Sequence, residues 1–234
     1  MSNYLQLVQR LRQECVEQGS NSSVVGAVGE WRRYADWIAQ AWVDIQEHRE
    51  DWQWMRKTVT FNTIAQQQTY TPAGINIADI AEWRNESFRA YLTSAGVNNE
   101  TQLGYQAYSS FRDLYQIGSR RNAFARPTVI TVAPDKSLML GLTPNDIYTV
   151  VGEYYKKPVI FSLDADIPDF DSRWHLLIVY KAMMSYGAQP KDMETTTLKK
   201  CELVYTRGAK LYADMLRKLE TSMLPDIELN GALV

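Results

Sequence analysis

Both ends of this chain repeat their apolar residues every three or four positions, while the middle alternates them every second position. That change of period divides the fold before any motif is considered. From Asn3 to Gln18, Tyr4, Leu7, Val8, Leu11 and Cys15 share one helical face, closed by Gly19 and the polar run from Ser20 to Ser23. A longer helix is predicted over about Gly29 to Trp54, where Trp31, Tyr34, Ile38, Ala41, Trp42, Ile45 and Trp52 keep the period. Character changes at Lys57. Lys57 to Thr63 is rich in β-branched residues with Val59 and Phe61 two apart, and a Gln66–Gln68 turn then Thr69 to Pro72 make it read as a hairpin.

Further strands are expected at Ile80–Trp83 and Phe88–Leu92, with a short helix within Tyr105–Ile117. A second hairpin runs from Thr128–Val132 through Pro134–Lys136 to Leu138–Leu142, and a long strand from Ile147 to Lys156 is closed by Pro158. Helical character returns after Asp169, with Asp171 or Ser172 as cap. The unbroken apolar run Leu176–Tyr180 predicts a central helix touched on several sides. Leu198, Cys201, Tyr205, Gly208, Tyr212, Met215 and Leu219 then alternate steps of three and four, a seam over three heptads. The expected fold class is α+β. A discontinuous helical bundle is formed by both ends of the chain (1–56 and 168–220), with an inserted antiparallel β-rich domain (57–160) and an extended C-terminal arm (221–234).

Of 234 residues, 45% are hydrophobic, enough to bury a large core. The 25 basic and 27 acidic residues leave a net charge of −2, so no global cationic field draws phosphates. Cys15 and Cys201 lack a CxxC partner or a His at metal spacing and read as free thiols in helices. The amphipathic N-terminus argues against a signal peptide, and no stretch approaches the roughly 20 apolar residues of a bilayer span. A soluble protein made in a reducing cytoplasm is expected.

Catalytic chemistry finds little foothold. His48 and His175 fall inside predicted helices without a nucleophile motif, and there is no phosphate loop, metalloprotease motif or dinucleotide fingerprint. The acidic run from Asp164 to Asp171 lacks the glycine and terminal Glu of a calcium loop, and capping the next helix is the stronger reading. No metal, cofactor or catalytic residue is expected. The weakest alternative is a cell-wall hydrolase pairing Glu153 with Asp164 or Asp166.

Contact surfaces are easier to nominate. Five of the seven tryptophans, Trp31, Trp37, Trp42, Trp52 and Trp54, crowd into the second helix, and Trp37 and Trp54 fall off its core face, which makes them candidates for partner contact. Arg120, Arg121 and Arg126 flank Phe124 with no acid among them, a loop suited to DNA or an acidic neighbour. After Leu219, Met223, Leu224, Ile227, Leu229, Leu233 and Val234 keep no helical period, and Pro225 and Gly231 interrupt them. A tail this apolar either folds back on its own domain or docks on another chain, and docking is the favoured reading.

Several segments in this order are familiar: Ala41-Trp42-Val43-Asp44-Ile45-Gln46 with Asp51-Trp52-Gln53-Trp54-Met55, Phe88-Arg89-Ala90-Tyr91-Leu92, Val151 to Pro158, and Pro168 followed by Arg173 to Met184. Over roughly residues 4–220 the chain resembles the head-to-tail adaptor proteins of tailed bacteriophages. The resemblance implies a structural subunit of the virion's head-tail junction. It also implies a ring of commonly twelve copies beneath the portal protein that extends the DNA channel, without specific DNA binding, and docks tail or neck proteins. It carries no active-site residues, cofactor or membrane partner. A tail-terminator or neck protein contacting the tail tube is the alternative within the virion.

Overall fold

A computed structural model describes residues 1–17, 19, 22–189 and 195–223. Along the chain run α1 (Tyr4–Glu14), α2 (Gly29–Glu47), β1 (Arg56–Asn62), β2 (Thr69–Tyr70), β3 (Ile80–Trp83), β4 (Arg89–Leu92), β5 (Thr101–Gln102) and β6 (Gly104–Tyr105). There follow α3 (Tyr108–Tyr115), β7 (Phe124–Ala125), β8 (Val129–Val132), β9 (Leu138–Gly141), β10 (Thr143–Pro144), β11 (Tyr148–Lys156), α4 (Leu176–Gly187) and α5 (Thr195–Ser222). The fold is mixed α+β, as the periods imply. It divides into two compact units: Met1–Trp54 with Pro158 onward, and Met55–Lys157.

In the first unit, Asn3 caps α1 by accepting the Gln6 amide while the Gln6 side chain accepts the Asn3 amide, a reciprocal capping box. Tyr4, Leu7, Val8 and Leu11 are buried. The helix was expected to reach Gln18 but stops at Glu14, because Val16 takes a left-handed conformation (φ 57°) that a helix cannot continue. α2 also ends sooner than its aromatic spacing suggests, at Glu47, and a 3-10 turn at Gln53–Met55 follows. Trp52 is buried without belonging to the helix. The chain doubles back so that its indole N–H reaches the Ile45 carbonyl (2.8 Å), an acceptor left open in the last turn of α2. Asp171 accepts the Arg173 amide (2.9 Å) and opens a 3-10 turn that leads into α4.

α4 is the centre of this unit. Leu177, Ile178, Val179, Ala182 and Met183 are fully buried, and the helix packs against α1, α2 and α5. Its approach to α5 is backbone-close. A Cβ on Gly187 would lie 2.7 Å from the Cys201 carbonyl and 2.5 Å from Tyr205 Cβ, and one on Gly208 would lie 2.8 Å from Met183 Cβ. α5 continues through Thr221 and Ser222, so these two residues, expected to open the extended arm, end the helix instead.

In the second unit β11 is the hub. β1 lies along its whole length antiparallel, from Arg56↔Tyr155 to Asn62↔Thr149, while β4 and then β3 share its other edge. β5 pairs with β4. β8 and β9 form the expected hairpin and extend to a second sheet, in the order β2, β9, β8, β6. Between the sheets lie Phe61, Tyr70, Trp83, Phe88, Leu103, Ile130, Leu140 and Val150.

The hairpin expected of β1 and β2 does not form, since β1 joins the first sheet and β2 the second. Tyr70 explains the split. Its ring packs on Phe61 (5.2 Å between centroids), and its hydroxyl donates to the Gln67 carbonyl (2.8 Å) and accepts the Ile64 amide (3.1 Å). The two strands therefore meet through side-chain faces instead of edges.

Gly187→Ala tests the helix contact, because an alanine gains up to about 1 kcal/mol of helix propensity over glycine. Overpacking opposes that gain by about 1–3 kcal/mol. The substitution is expected to lower the urea midpoint of helix loss, and a midpoint at or above that of the parent chain would contradict the close approach.

Candidate interaction surfaces

The aromatic residues of the first unit gather into one cluster. Trp42 lies 5.7 Å from Phe161 and 5.0 Å from Phe170, Trp54 stacks on Trp52 at 4.2 Å, and Phe170 stacks on His175 at 5.7 Å. Trp54, nominated for outside contact, is half-buried at the edge of this cluster, and its indole N–H is buried without a hydrogen-bond partner. Trp37 is half-buried too, edge-on to Tyr34 and Tyr186 at 5.4 and 6.1 Å. It lines a cavity of about 140 Å³ with Glu17, Arg33, Tyr186 and Cys201. There Lys200 (2.6 Å) and the Tyr186 hydroxyl (3.0 Å) both donate to Glu17, and the Lys200 bond above all holds that carboxyl below its ordinary range.

Both cysteines are buried and free. Burial pushes the Cys15 thiol up to about 12, so it stays protonated and unreactive at neutral pH. His175 is buried, with Nδ1 accepting the Ser2 amide (3.1 Å) and Nε2 beside the Phe170 carbonyl (3.3 Å). Those partners suit a neutral ring protonated on Nε2. Burial lowers its pKa from the ordinary 6.5 despite them. His48 reaches Glu220 of α5 at 3.4 Å.

The arginine loop separates into parts with different uses. Arg126 donates to the carbonyls of Ala90 (3.2 Å) and Asn99 and to the Thr101 hydroxyl (2.9 Å), tying β4 to the turn before β5. It serves the fold of its own unit. Arg121 donates twice to the Gln116 carbonyl (3.1 and 2.7 Å) yet remains exposed. Arg120 and Phe124 are exposed, Phe124 at 49%. Of the four residues nominated, these three are exposed and Arg126 is half-buried.

The carboxylates weighed for acid–base chemistry are held in structural bonds. Glu153 accepts from Arg84 (2.7 Å) and Arg56 (2.9 Å), and although burial pushes its pKa up, the two guanidinium bonds outweigh burial and lower it. Asp164 accepts the Val24 amide (2.6 Å) and the Ser23 hydroxyl (2.7 Å), and Asp166 accepts the Leu163 and Ser162 amides (2.8 and 2.6 Å). Those bonds lower both pKa values. A glycosidase acid needs the opposite shift. Among the described residues, no group of three or more His, Cys, Asp or Glu side chains is placed to hold a metal ion. No helix among them is long and apolar enough to cross a membrane.

One surface escaped the reading from sequence. Thr60, Asn62, Ile64, Thr69 and Ile75 line a groove of about 380 Å³ floored by Phe61 and Tyr70. It exists because β1 and β2 part company, and no local pattern announces that. Of the nominated tail residues, Met223 is half-buried and its carbonyl accepts a 3.4 Å bond from the side-chain Nε2 of Gln53. Leu224, Ile227, Leu229, Leu233 and Val234 lie outside the described residues.

With these surfaces in view, comparison with protein families is decisive. A family model described as SU10 adaptor protein matches residues 2–223. The chain belongs to that family. The match takes in both units, and it agrees with the resemblance to phage head-to-tail adaptors noted from the segments around Trp42, Phe88, Tyr154 and Trp174. No curated protein matches the chain. An adaptor works through surfaces, and Glu153, Asp164, Asp166 and His175 are held by bonds within their own units.

Two substitutions separate frame from surface. Arg126→Ala removes a donor to partly buried carbonyls and is expected to cost the second unit about 1–3 kcal/mol in urea unfolding. Arg120→Ala, fully at the surface, is expected to stay within about 0.5 kcal/mol. Equal losses would contradict the division.

His175 supplies a pH dependence. Its folded pKa is depressed, so its contribution is fully present above the ordinary value of 6.5 and is lost as pH falls below that value toward the folded pKa. Between pH 7.5 and 5.5 the parent chain is expected to lose more thermal stability than His175→Gln. Parallel losses would show that the ring does not titrate with folding.

Proposed function

We propose that this chain is an adaptor subunit that assembles as a ring, commonly of twelve copies, between the portal and the tail of a phage. There it extends the DNA channel and gives tail or neck proteins a docking surface. The observation that carries this reading is the family match over residues 2–223, which spans both units. Within it, the helices from the two ends of the chain act as one bundle packed around the ring, with residues 57–160 as its β-rich insertion. A net charge of −2 is compatible with DNA sliding past without capture. Ring subunits meet through heterologous contacts that close by rotation, and many weak contacts add to a firm joint.

The test is reconstitution. The purified chain is mixed with the isolated portal of the same phage and imaged by electron microscopy, and rings of the chain on one end of the portal are expected. Bare portals, with the chain instead decorating tail tubes, would overturn the adaptor reading in favour of a tail-terminator or neck role.

A further inference from the structure

β1 is an edge strand with an open side. Thr63 donates its amide to the Tyr148 carbonyl (2.8 Å), next in register after Asn62↔Thr149. In an antiparallel ladder every second residue turns both backbone groups toward its partner. Phe61 and Val59 therefore face β11, and Thr58, Thr60 and Asn62 turn their N–H and C=O away from it. Among the described residues no strand pairs with that side.

The open side borders the groove of about 380 Å³, whose lining carries no charged side chain. Phe61 and Tyr70 form its floor, and Ile64 stands 60% exposed at its rim. Across it, β2 is less receptive. The Leu140 amide bonds the Gln68 carbonyl (3.0 Å), which puts Tyr70 toward β9 and turns Thr69 outward, and the Thr69 carbonyl is already taken by the side-chain Nε2 of Gln67 (2.9 Å). The slot thus offers one hydrogen-bonding edge, an apolar floor and no charge. An extended strand with apolar residues on alternate positions fits it.

The same chain carries such a segment. Residues 224–234 follow Met223 beyond the described helix, with Ile227 and Leu229 two apart, Glu228 between them, and Leu233 and Val234 after Gly231. Fully extended, that length reaches roughly 36 Å. β1 spans roughly 23 Å. We propose that residues 224–234 of one copy add as a strand to the open side of β1 in a neighbouring copy, with Ile227 and Leu229 over the Phe61–Tyr70 floor. The proposal rests on the ring reading in that the donor is the adjacent subunit.

Full-length chains bearing Asn62→Cys are mixed with full-length chains bearing Asn230→Cys on portal, treated with a short bismaleimide and run on a denaturing gel, while the same samples are imaged for rings. Cys15 and Cys201 are buried and stay out of the reaction. A crosslinked pair of chains is expected in the mixture. Leu229→Asp in the donor, which leaves the groove untouched, is expected to lower its yield roughly tenfold, as is Thr60→Pro, which removes an outward N–H. Rings without crosslinked pairs overturn the proposal and leave the ring reading standing. Portals without rings overturn the ring reading, and crosslinked pairs in that sample still support the groove. An undiminished yield with Leu229→Asp overturns the assignment of the apolar floor.

Discussion

The first unit depends on two helices coming closer than side chains normally allow. At Gly187 the backbone of α5 takes the space a side chain would fill, and at Gly208 α5 returns the favour to Met183 and Tyr180 of α4. Close packing multiplies weak dispersion contacts, and it fixes α4 firmly enough to be covered by α1 and α2 on its other sides. The fully buried run from Leu177 to Met183 is the result. The second unit has an equivalent anchor in β11, which holds β1 on one edge and β3 and β4 on the other.

Much of this was legible in the sequence because it follows from local period. Leu7, Val8 and Leu11 lie on a buried face, the β8–β9 hairpin turns at Pro134–Lys136, and α4 is surrounded as its unbroken apolar run requires. What local period cannot carry is pairing between distant segments. Val59 and Phe61 show a strand, but nothing near them says that its partner is Val150 and Gly152, some ninety residues on, instead of Thr69 and Tyr70. Trp52 misled for a related reason. Its spacing fits the helical face of Trp42 and Ile45, yet it reaches the core by a turn and an indole hydrogen bond.

The interaction surfaces were legible in part. Arg120, Arg121 and Phe124 stand exposed, as an acid-free basic loop suggests, while Arg126 sits in the same run and anchors Ala90 and Asn99. Composition treats the three arginines alike, and only tertiary contact sorts them. The carboxylates show the same limit. On paper Asp164 or Asp166 could pair with Glu153 as acid and base, and the structure uses both aspartates to bind the amides of Val24, Ser162 and Leu163.

Asp166 has another part. Its backbone carbonyl accepts the Tyr4 amide (2.7 Å), that of Asp164 accepts the Leu5 amide, and His175 accepts the Ser2 amide. The first helix is thus seated by residues more than 150 positions later. On the ribosome these bonds have no partners until the chain has been extended past His175, by which time Met55–Lys157 is complete and carries its own core. The β-rich unit is in a position to fold while α1 and α2 still wait for α4. During that interval the end of the aromatic face of α2 that Phe161 and Phe170 cover in the finished protein, Trp42 above all, lacks its partners, so this part of the tryptophan stripe stays open to aggregation and to chaperones until the chain has passed Phe170.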